Sequence, residues 1–134
     1  MSVFFDTNIL VYAQQRGAKA DRARELLAAG GVLSVQVLNE FAAVASRKLG
    51  RGWDDIGEAI EDALALVDPP LPLTPALHVA ARSLARDHGF AFNDALIVAA
   101  ALEARCDTLL SEDLQDGRIL GELTIVNPFA DRTA

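Results

Sequence analysis

Several acidic side chains in this sequence stand directly beside apolar runs, where a folded chain can bring their carboxylates together. Asp6 follows the apolar run Val3-Phe4-Phe5 in the stretch SVFFDTNILVY, and Asp94 stands near the start of the apolar stretch NDALIVAAALEA. A third group of acids, which includes Asp113 and Asp116, crowds the stretch LLSEDLQDG. Carboxylates held together raise one another's pKa, and a bound divalent cation relieves that repulsion. Oxygen ligands suit magnesium or manganese better than zinc.

Glu40 belongs to the same pattern, although it lies within a predicted helix. In the stretch SVQVLNEFAAVASRKLG it comes three residues after Val37 and four before Val44. Helical geometry places these three side chains on one face, and the apolar residues of that face are expected to pack inward. Burying a carboxylate there without a partner is costly, so a partner is expected, and a metal ion is one candidate.

Each of these acids also has a purely structural interpretation. Aspartate is a preferred helix cap, so Asp94 taken alone is better explained as a cap than as a metal ligand. The stretch LLSEDLQDG taken alone indicates a polar turn that opens a short helix, with Glu112 pointing to solvent. The two histidines, His78 and His88, are too few and too separated for a histidine-based zinc site. The joint pattern of the acids therefore carries more weight than any single residue.

Size and charge restrict the possible classes of protein. A chain of 134 residues without internal repeats or linkers is expected to form one domain, residues 1–134. The formal net charge of −7 argues against simple electrostatic binding of nucleic acid, unless a metal ion inverts the local charge. Two local groups of basic residues are better interpreted as solvated helix faces than as a binding patch; they are Arg16, Lys19, Arg22 and Arg24, and Arg47, Lys48 and Arg51.

No apolar stretch is long enough to span a membrane, and no signal peptide is recognisable at the N-terminus. The only cysteine, Cys106, cannot form an intramolecular disulfide, which fits a reducing cytoplasm. We therefore expect a cytoplasmic protein without a membrane association.

Short apolar runs alternate with helical patterns along the whole chain. The patterns predict strands at residues 3–5, 32–35, 71–73, 108–110 and 124–126, and helices at about 8–12, 19–29, 36–49, 54–67, 75–88 and 94–105. This alternation is typical of an α/β fold with a mostly parallel central sheet flanked by helices. In such sheets, ligands bind outside the carboxyl ends of the strands, and Asp6 directly follows one predicted strand.

Four stretches, in the order FFDTNILVYA, LSVQVLNEF, FNDALIVAAAL and LLSEDLQDG, resemble the PIN-domain family. The resemblance extends over essentially the whole chain, and is strongest to the small VapC-like toxin ribonucleases of type II toxin–antitoxin systems. Carried over from the family, its acidic metal ligands fall on Asp6, Glu40, Asp94 and Asp113, with Asp116 as an alternative for the fourth.

The small polar residues of the family match three further positions in this chain. Thr7 and Ser111 would orient the carboxylates or a bound water, and Asn8 would hold the turn together. The resemblance implies an endoribonuclease that depends on Mg²⁺ or Mn²⁺ and hydrolyses RNA phosphodiesters with metal-activated water. It also implies a homodimer and a cognate antitoxin that silences the site.

Two other functions remain open on the sequence alone. The chain could be a binding module that has the PIN fold without its catalysis. The presence of all the expected acids argues against that interpretation. Haloacid-dehalogenase-like phosphatases also place an aspartate after the first strand. They need a second aspartate two residues later, where this chain has Asn8, and a lysine before the last acidic turn, whereas its lysines are Lys19 and Lys48.

Overall fold

The polypeptide winds back and forth between a small sheet and the helices that cover it. The structure, a computed structural model, describes residues 2–130. The strands are β1 (Val3–Phe5), β2 (Thr108–Leu110), β3 (Ile119–Leu120) and β4 (Leu123–Val126). The helices are α1 (Thr7–Ala13), α2 (Ala18–Ala28), α3 (Val35–Arg47), α4 (Trp53–Leu64), α5 (Pro75–His88) and α6 (Phe92–Glu103).

The strands form a sheet in the order β1-β2-β4-β3, in which β1, β2 and β4 are parallel and β3 is antiparallel to β4. Phe5 pairs with Leu110, and Leu110 pairs with Val126, so three parallel strands end side by side. The residue that follows each strand therefore emerges at the same edge of the sheet. This arrangement confirms the predicted α/β fold with a mostly parallel sheet.

Two predicted strands, at 32–35 and 71–73, are wrong as strands of their own. Val32 makes an isolated parallel bridge to β1, and Ser34 makes another to Leu71. The reason is local: the side chain of Ser34 accepts a hydrogen bond from the first turn of α3, so the helix begins before a strand can develop. Through these two bridges, one residue of each predicted strand continues the parallel pairing on the side of β1 away from β2.

β3 was not predicted from the sequence. It is only two residues long, and Ile119, its first residue, is 68% exposed. A two-residue strand is too short to show the alternation by which a strand is recognised.

The central helix is α6, as its apolar character predicts. All residues from Ala95 to Ala101 are buried, because the helix packs against α3, α5 and the sheet. Its predecessor α5 has the predicted signals at both ends: the side chain of Thr74 caps the first turn, and Gly89 ends the helix in the left-handed conformation with φ of 75°. The packing of α6 brings its N-terminus, with Asp94, towards the edge of the sheet at which β1, β2 and β4 end, directly before Asp6 in the case of β1. We call this edge, with Asp6, Glu40, Asp94 and Asp113, the acidic edge.

Within residues 2–130, no helix combines the length and the apolar character that crossing a membrane requires.

Candidate functional site

Asp6 lies where β1 ends and α1 begins, and its carboxylate is almost completely buried, with 4% of the residue exposed. One carboxylate oxygen, Oδ1, accepts a hydrogen bond from the backbone N–H of Thr7 at 2.7 Å, which caps α1. The other, Oδ2, accepts a hydrogen bond from the hydroxyl of Ser111 at 2.6 Å. Ser111 directly follows β2 and is itself fully buried, so this bond joins two neighbouring strand ends.

The Ser111 hydroxyl also organises the loop that follows β2. Its oxygen accepts hydrogen bonds from the backbone N–H groups of Asp113 and Leu114, at 3.1 and 3.3 Å. The loop therefore turns around the same hydroxyl that donates to Asp6. This arrangement agrees with the role predicted for Ser111 in orienting a carboxylate.

Asn8 connects α1 to this loop through both ends of its side-chain amide. Its Nδ2 lies within hydrogen-bonding distance of Asp6 Oδ2 at 3.3 Å and Asp113 Oδ2 at 3.2 Å, and its Oδ1 accepts the backbone N–H of Glu112 at 3.3 Å. One side chain thus holds the turn after β1 against the turn after β2, as its predicted role requires.

Glu40 reaches the same edge from α3. It is half-buried, and its Oε2 accepts a hydrogen bond from the hydroxyl of Thr7 at 3.2 Å. The interaction confirms that the Glu40 side chain has a partner on the packed side of α3. Thr7 therefore has two roles, since its backbone N–H holds Asp6 and its hydroxyl holds Glu40.

Burial and mutual repulsion raise the pKa values of these acids. Burial raises the pKa of Asp6 from 3.8 to about 6, against the hydrogen bonds from Ser111 and Thr7, and the charges of Asp113 and Asp94 contribute. Burial likewise raises the pKa of Glu40 from 4.5 to about 7, and the charges of the other three acids raise it further. The pKa of Asp94 is raised as well, by burial and by the charge of Asp113. The four predicted acids therefore act on one another at one edge of the sheet.

The interpretation of Asp94 as the cap of α6 is wrong. The helix begins two residues earlier than the sequence suggests, with Ala91 at the N-cap position and no side-chain cap, and Asp94 is its third residue. A carboxylate in the first turn is still favoured by the helix dipole, and the side chain is partly buried. Because the cap position is elsewhere, the capping function does not account for Asp94.

Glu112 does not point to solvent, contrary to the sequence prediction. It forms an ion pair with Lys19 at 2.7 Å between Nζ and Oε2, and it accepts a hydrogen bond from the Tyr12 hydroxyl. The ammonium group of Lys19 also lies over the rings of Tyr12 and Phe129. This cluster neutralises one acid of the loop at the side of the acidic edge.

The two alternatives for the fourth acid have different surroundings. Both Asp113 and Asp116 are exposed. Asp113 is held by Asn8 and its charge acts on Asp6, Glu40 and Asp94. Asp116 instead accepts the backbone N–H of Asn127 at 2.8 Å, which ties the loop to the end of β4.

The chemistry of these ligands fits a hard divalent cation, since every candidate donor is an oxygen. Their spacing is wider than a finished metal site: within residues 2–130, no three His, Cys, Asp or Glu side chains lie close enough together to hold an ion. Both histidines lie exposed on α5, where each contacts a phenylalanine ring. Metal binding at this edge therefore stays a prediction.

Comparison with known proteins adds to this geometry. The sequence model of the PIN-domain family matches residues 3–116, a span that contains every candidate acid. No curated protein matches the chain.

Solved structures with the same fold include a toxin–antitoxin complex from Klebsiella pneumoniae, with a TM-score of 0.70 and 20% identity over 96% of this chain and 98% of that one. VapBC2 from Rickettsia felis, solved with a DNA fragment from its promoter, has a TM-score of 0.66 and 20% identity over 93% and 97%. VapC20 from Mycobacterium tuberculosis, a toxin that cleaves the sarcin–ricin loop, has a TM-score of 0.67 and 21% identity over 84% and 92%. At these identities the likeness is one of fold.

The raised pKa values predict that the protein without metal becomes less stable as the pH rises. Asp6 and Glu40 hold protons more tightly in the folded protein than in the unfolded chain. Their contribution is complete below about pH 4 and is lost as the pH rises through their folded pKa values of about 6 and about 7. For buried Asp6 alone the effect is on the order of 3 kcal/mol.

Thermal unfolding in the presence of a chelator, followed between about pH 4 and about pH 8, measures this effect. The matched variant is Asp6→Asn, which keeps the shape of the side chain without its charge. We expect the variant to melt above the wild type at the alkaline end, and the two proteins to converge towards the acid end. If the melting temperatures of the two proteins change with pH in parallel, the ionisation of Asp6 does not destabilise the folded protein.

Proposed function

Because the chain belongs to the PIN-domain family, we propose that it is a metal-dependent endoribonuclease and the toxin of a type II toxin–antitoxin pair. The observation that carries the proposal is the convergence of four mutually repelling carboxylates at the carboxyl edge of a parallel sheet. VapC20, one of the fold neighbours, is a toxin that cleaves the sarcin–ricin loop, which supports a nuclease function for this fold.

In this proposal Asp6, Glu40, Asp94 and Asp113 hold one or more Mg²⁺ or Mn²⁺ ions. A bound ion of this kind supplies an activated water and stabilises negative charge on phosphate oxygens. The protein supplies the orientation of the ligands. Ser111 and Thr7 each fix one oxygen of a carboxylate, which leaves the remaining lone pairs of Asp6 and Glu40 for the cation.

In this proposal a water molecule attacks phosphorus, and no protein side chain acts as the nucleophile. Ser111, the hydroxyl in the centre of the site, donates to Asp6 and is surrounded by backbone N–H groups of its own loop. Cys106 is buried, and burial raises the pKa of its thiol, which disfavours the thiolate. These surroundings suit hydrolysis without a covalent intermediate on the protein.

An antitoxin is the partner we propose, together with a homodimer and a cytoplasmic location. Two of the fold neighbours were solved as toxin–antitoxin assemblies, which supports such a partner. Trp53, at the start of α4, is 69% exposed, and we propose it as one of the side chains that contact the antitoxin. Tyr12 packs against Phe129 and donates a hydrogen bond to Glu112, so its side chain already has partners within the chain.

Replacing Asp6 is expected to abolish nuclease activity. Purified protein without antitoxin should cleave total cellular RNA with Mn²⁺ or Mg²⁺ and stop when a chelator is added. Asp6→Asn should lower the rate by roughly 100-fold or more, because it removes the central anionic ligand. Asp54→Asn, which removes one exposed charge from the first turn of α4, serves as the matched control and should cleave normally.

Equal cleavage by Asp6→Asn and the wild type would point to a contaminant or to a site elsewhere. A folded wild type that cleaves no RNA with either metal would favour the non-catalytic binding module instead.

The fourth metal ligand is expected to be Asp113 and not Asp116. Asp113→Ala should reduce cleavage by roughly 10- to 100-fold. Asp116→Ala should instead lower the melting temperature, because the N–H of Asn127 loses its acceptor at a cost of about 1 kcal/mol. Cleavage rates measured well below both melting temperatures separate the two effects, and the reverse pattern would assign the fourth ligand to Asp116.

Induced expression of the chain in a bacterial host is expected to arrest growth. The arrest should disappear with Asp6→Asn, and co-expression of the protein encoded directly upstream should relieve it. Continued growth with the wild type expressed in folded form would refute the toxin assignment, while leaving the nuclease to be judged by the cleavage assay.

A further inference from the structure

A groove of about 400 Å³ opens beside the acidic site and runs between α1 and α3. Asn8 and Asp113 line it at the acidic site, and Gln15 and Lys48 also line it. The α1 residues that line it run from Asn8 to Tyr12, so the wall formed by α1 is roughly 6 Å long, and Gln15 lines the groove just beyond the end of that helix.

Two contacts between α1 and the α3 segment show that the groove has a defined direction. Near the acidic site, the hydroxyl of Thr7 bonds to Glu40. Just beyond the other end of both helices, the guanidinium of Arg51 donates to the backbone carbonyl of Gln14 at 3.1 Å. The start of α1 therefore lies beside the middle of α3 at the carboxylates, and the ends of both helices lie together at the basic side chains.

The α3 wall of the groove changes chemical character along its length. Val44 and Lys48 line the groove from this side, and Glu40, which is not a lining residue, precedes Val44 by four residues on the same helix face. Lys48 is thus roughly 12 Å from Glu40 along the helix axis. Val11 and Val44 lie between them and form an apolar stretch.

The charges of the groove favour an anionic ligand that begins at the metal site and extends outwards. Lys48 is the one cation among the described residues that line it. It is exposed and, within residues 2–130, forms no ion pair. Glu112, on the opposite wall, is already neutralised by Lys19. The far end of the groove is therefore electropositive in a protein of net charge −7.

We propose that this groove binds the strand of a single-stranded RNA next to the scissile phosphate, and that the Lys48 ammonium contacts a neighbouring phosphate. The proposal rests on the nuclease function proposed above. In this arrangement the apolar stretch of Val11 and Val44 faces a sugar or base, and the amide of Gln15 lies beside it as a hydrogen-bonding group. Lys48 acts as a binding residue of the substrate, not only as part of a solvated helix face.

A lysine at the end of a helix also interacts favourably with the helix dipole, so the test needs a matched control. Arg47 precedes Lys48, is also exposed, and does not line the groove. Lys48→Gln and Arg47→Gln remove the same charge from the same helix end. A difference between them therefore reports the groove and not the dipole or the net charge.

The experiment measures binding of a pool of random-sequence single-stranded RNA 12-mers by fluorescence anisotropy, at several salt concentrations. Lys48→Gln should weaken binding several-fold and reduce the slope of log Kd against log salt by roughly 0.7, the value for one phosphate contact to a single strand. Arg47→Gln should retain the wild-type affinity and slope. Thermal unfolding of both variants verifies that each is folded.

Equal RNA binding by the two variants would overturn the proposal, as would a wild type that binds no RNA. Weaker capture of the antitoxin by Lys48→Gln without a change in RNA binding would assign the groove to the protein partner and equally overturn it. A wild type that binds RNA through Lys48 but cleaves none would refute the nuclease and leave the groove assignment standing. The two proposals can therefore fail separately.

Discussion

The hydrogen bond from Ser111 to Asp6 is the interaction on which the acidic site depends. It joins the ends of two parallel strands, and it fixes one oxygen of a carboxylate whose other oxygen caps α1. A buried charge of this kind needs all its partners, because each lost hydrogen bond in a dry environment is expensive. The two hydrogen bonds lower the pKa of Asp6, and burial raises it more. The fold thus holds an anion at its edge under conditions that favour its neutral form.

The acids of the loop after β2 show that position decides what a carboxylate contributes. Glu112 is neutralised by Lys19, Asp116 holds a backbone N–H of the last strand's end, and Asp113 adds its charge to the acidic edge. Three acids within five residues therefore have three different environments. The negative potential of the site follows from these contacts and not from the number of acids in the loop.

The predictable part of the fold rested on local patterns. Asp6 at a strand end, Glu40 on the packed face of α3 and the buried α6 all follow from periodicity within one element, and the structure has them in place. The wrong predictions concern features that the spacing of apolar residues does not indicate. The cap at Ser34 shortened a predicted strand to a bridge, and β3 is too short to carry a pattern.

Contacts between residues that are far apart in the sequence were not predictable either. The partner of Glu112 lies 93 residues away, and no local signal distinguishes Lys19 from the other basic residues of its helix. The start of α6 at Phe92 shows the same limit at short range, because Ala91 occupies the cap position without any capping side chain.

The strand order determines when the acidic site can form during translation. β1 is translated before its parallel neighbour β2, and Ser111, the hydrogen-bond partner of Asp6, lies 105 residues further along the chain. At roughly 5 to 20 residues per second, translation of that interval takes on the order of 5 to 20 seconds. Until then Asp6 can cap α1, but no neighbouring strand end exists to complete its surroundings. A nascent chain that stops before Ser111 therefore lacks the hydrogen bond that joins the two strand ends, and the acidic site forms only after the loop that follows β2 has been translated.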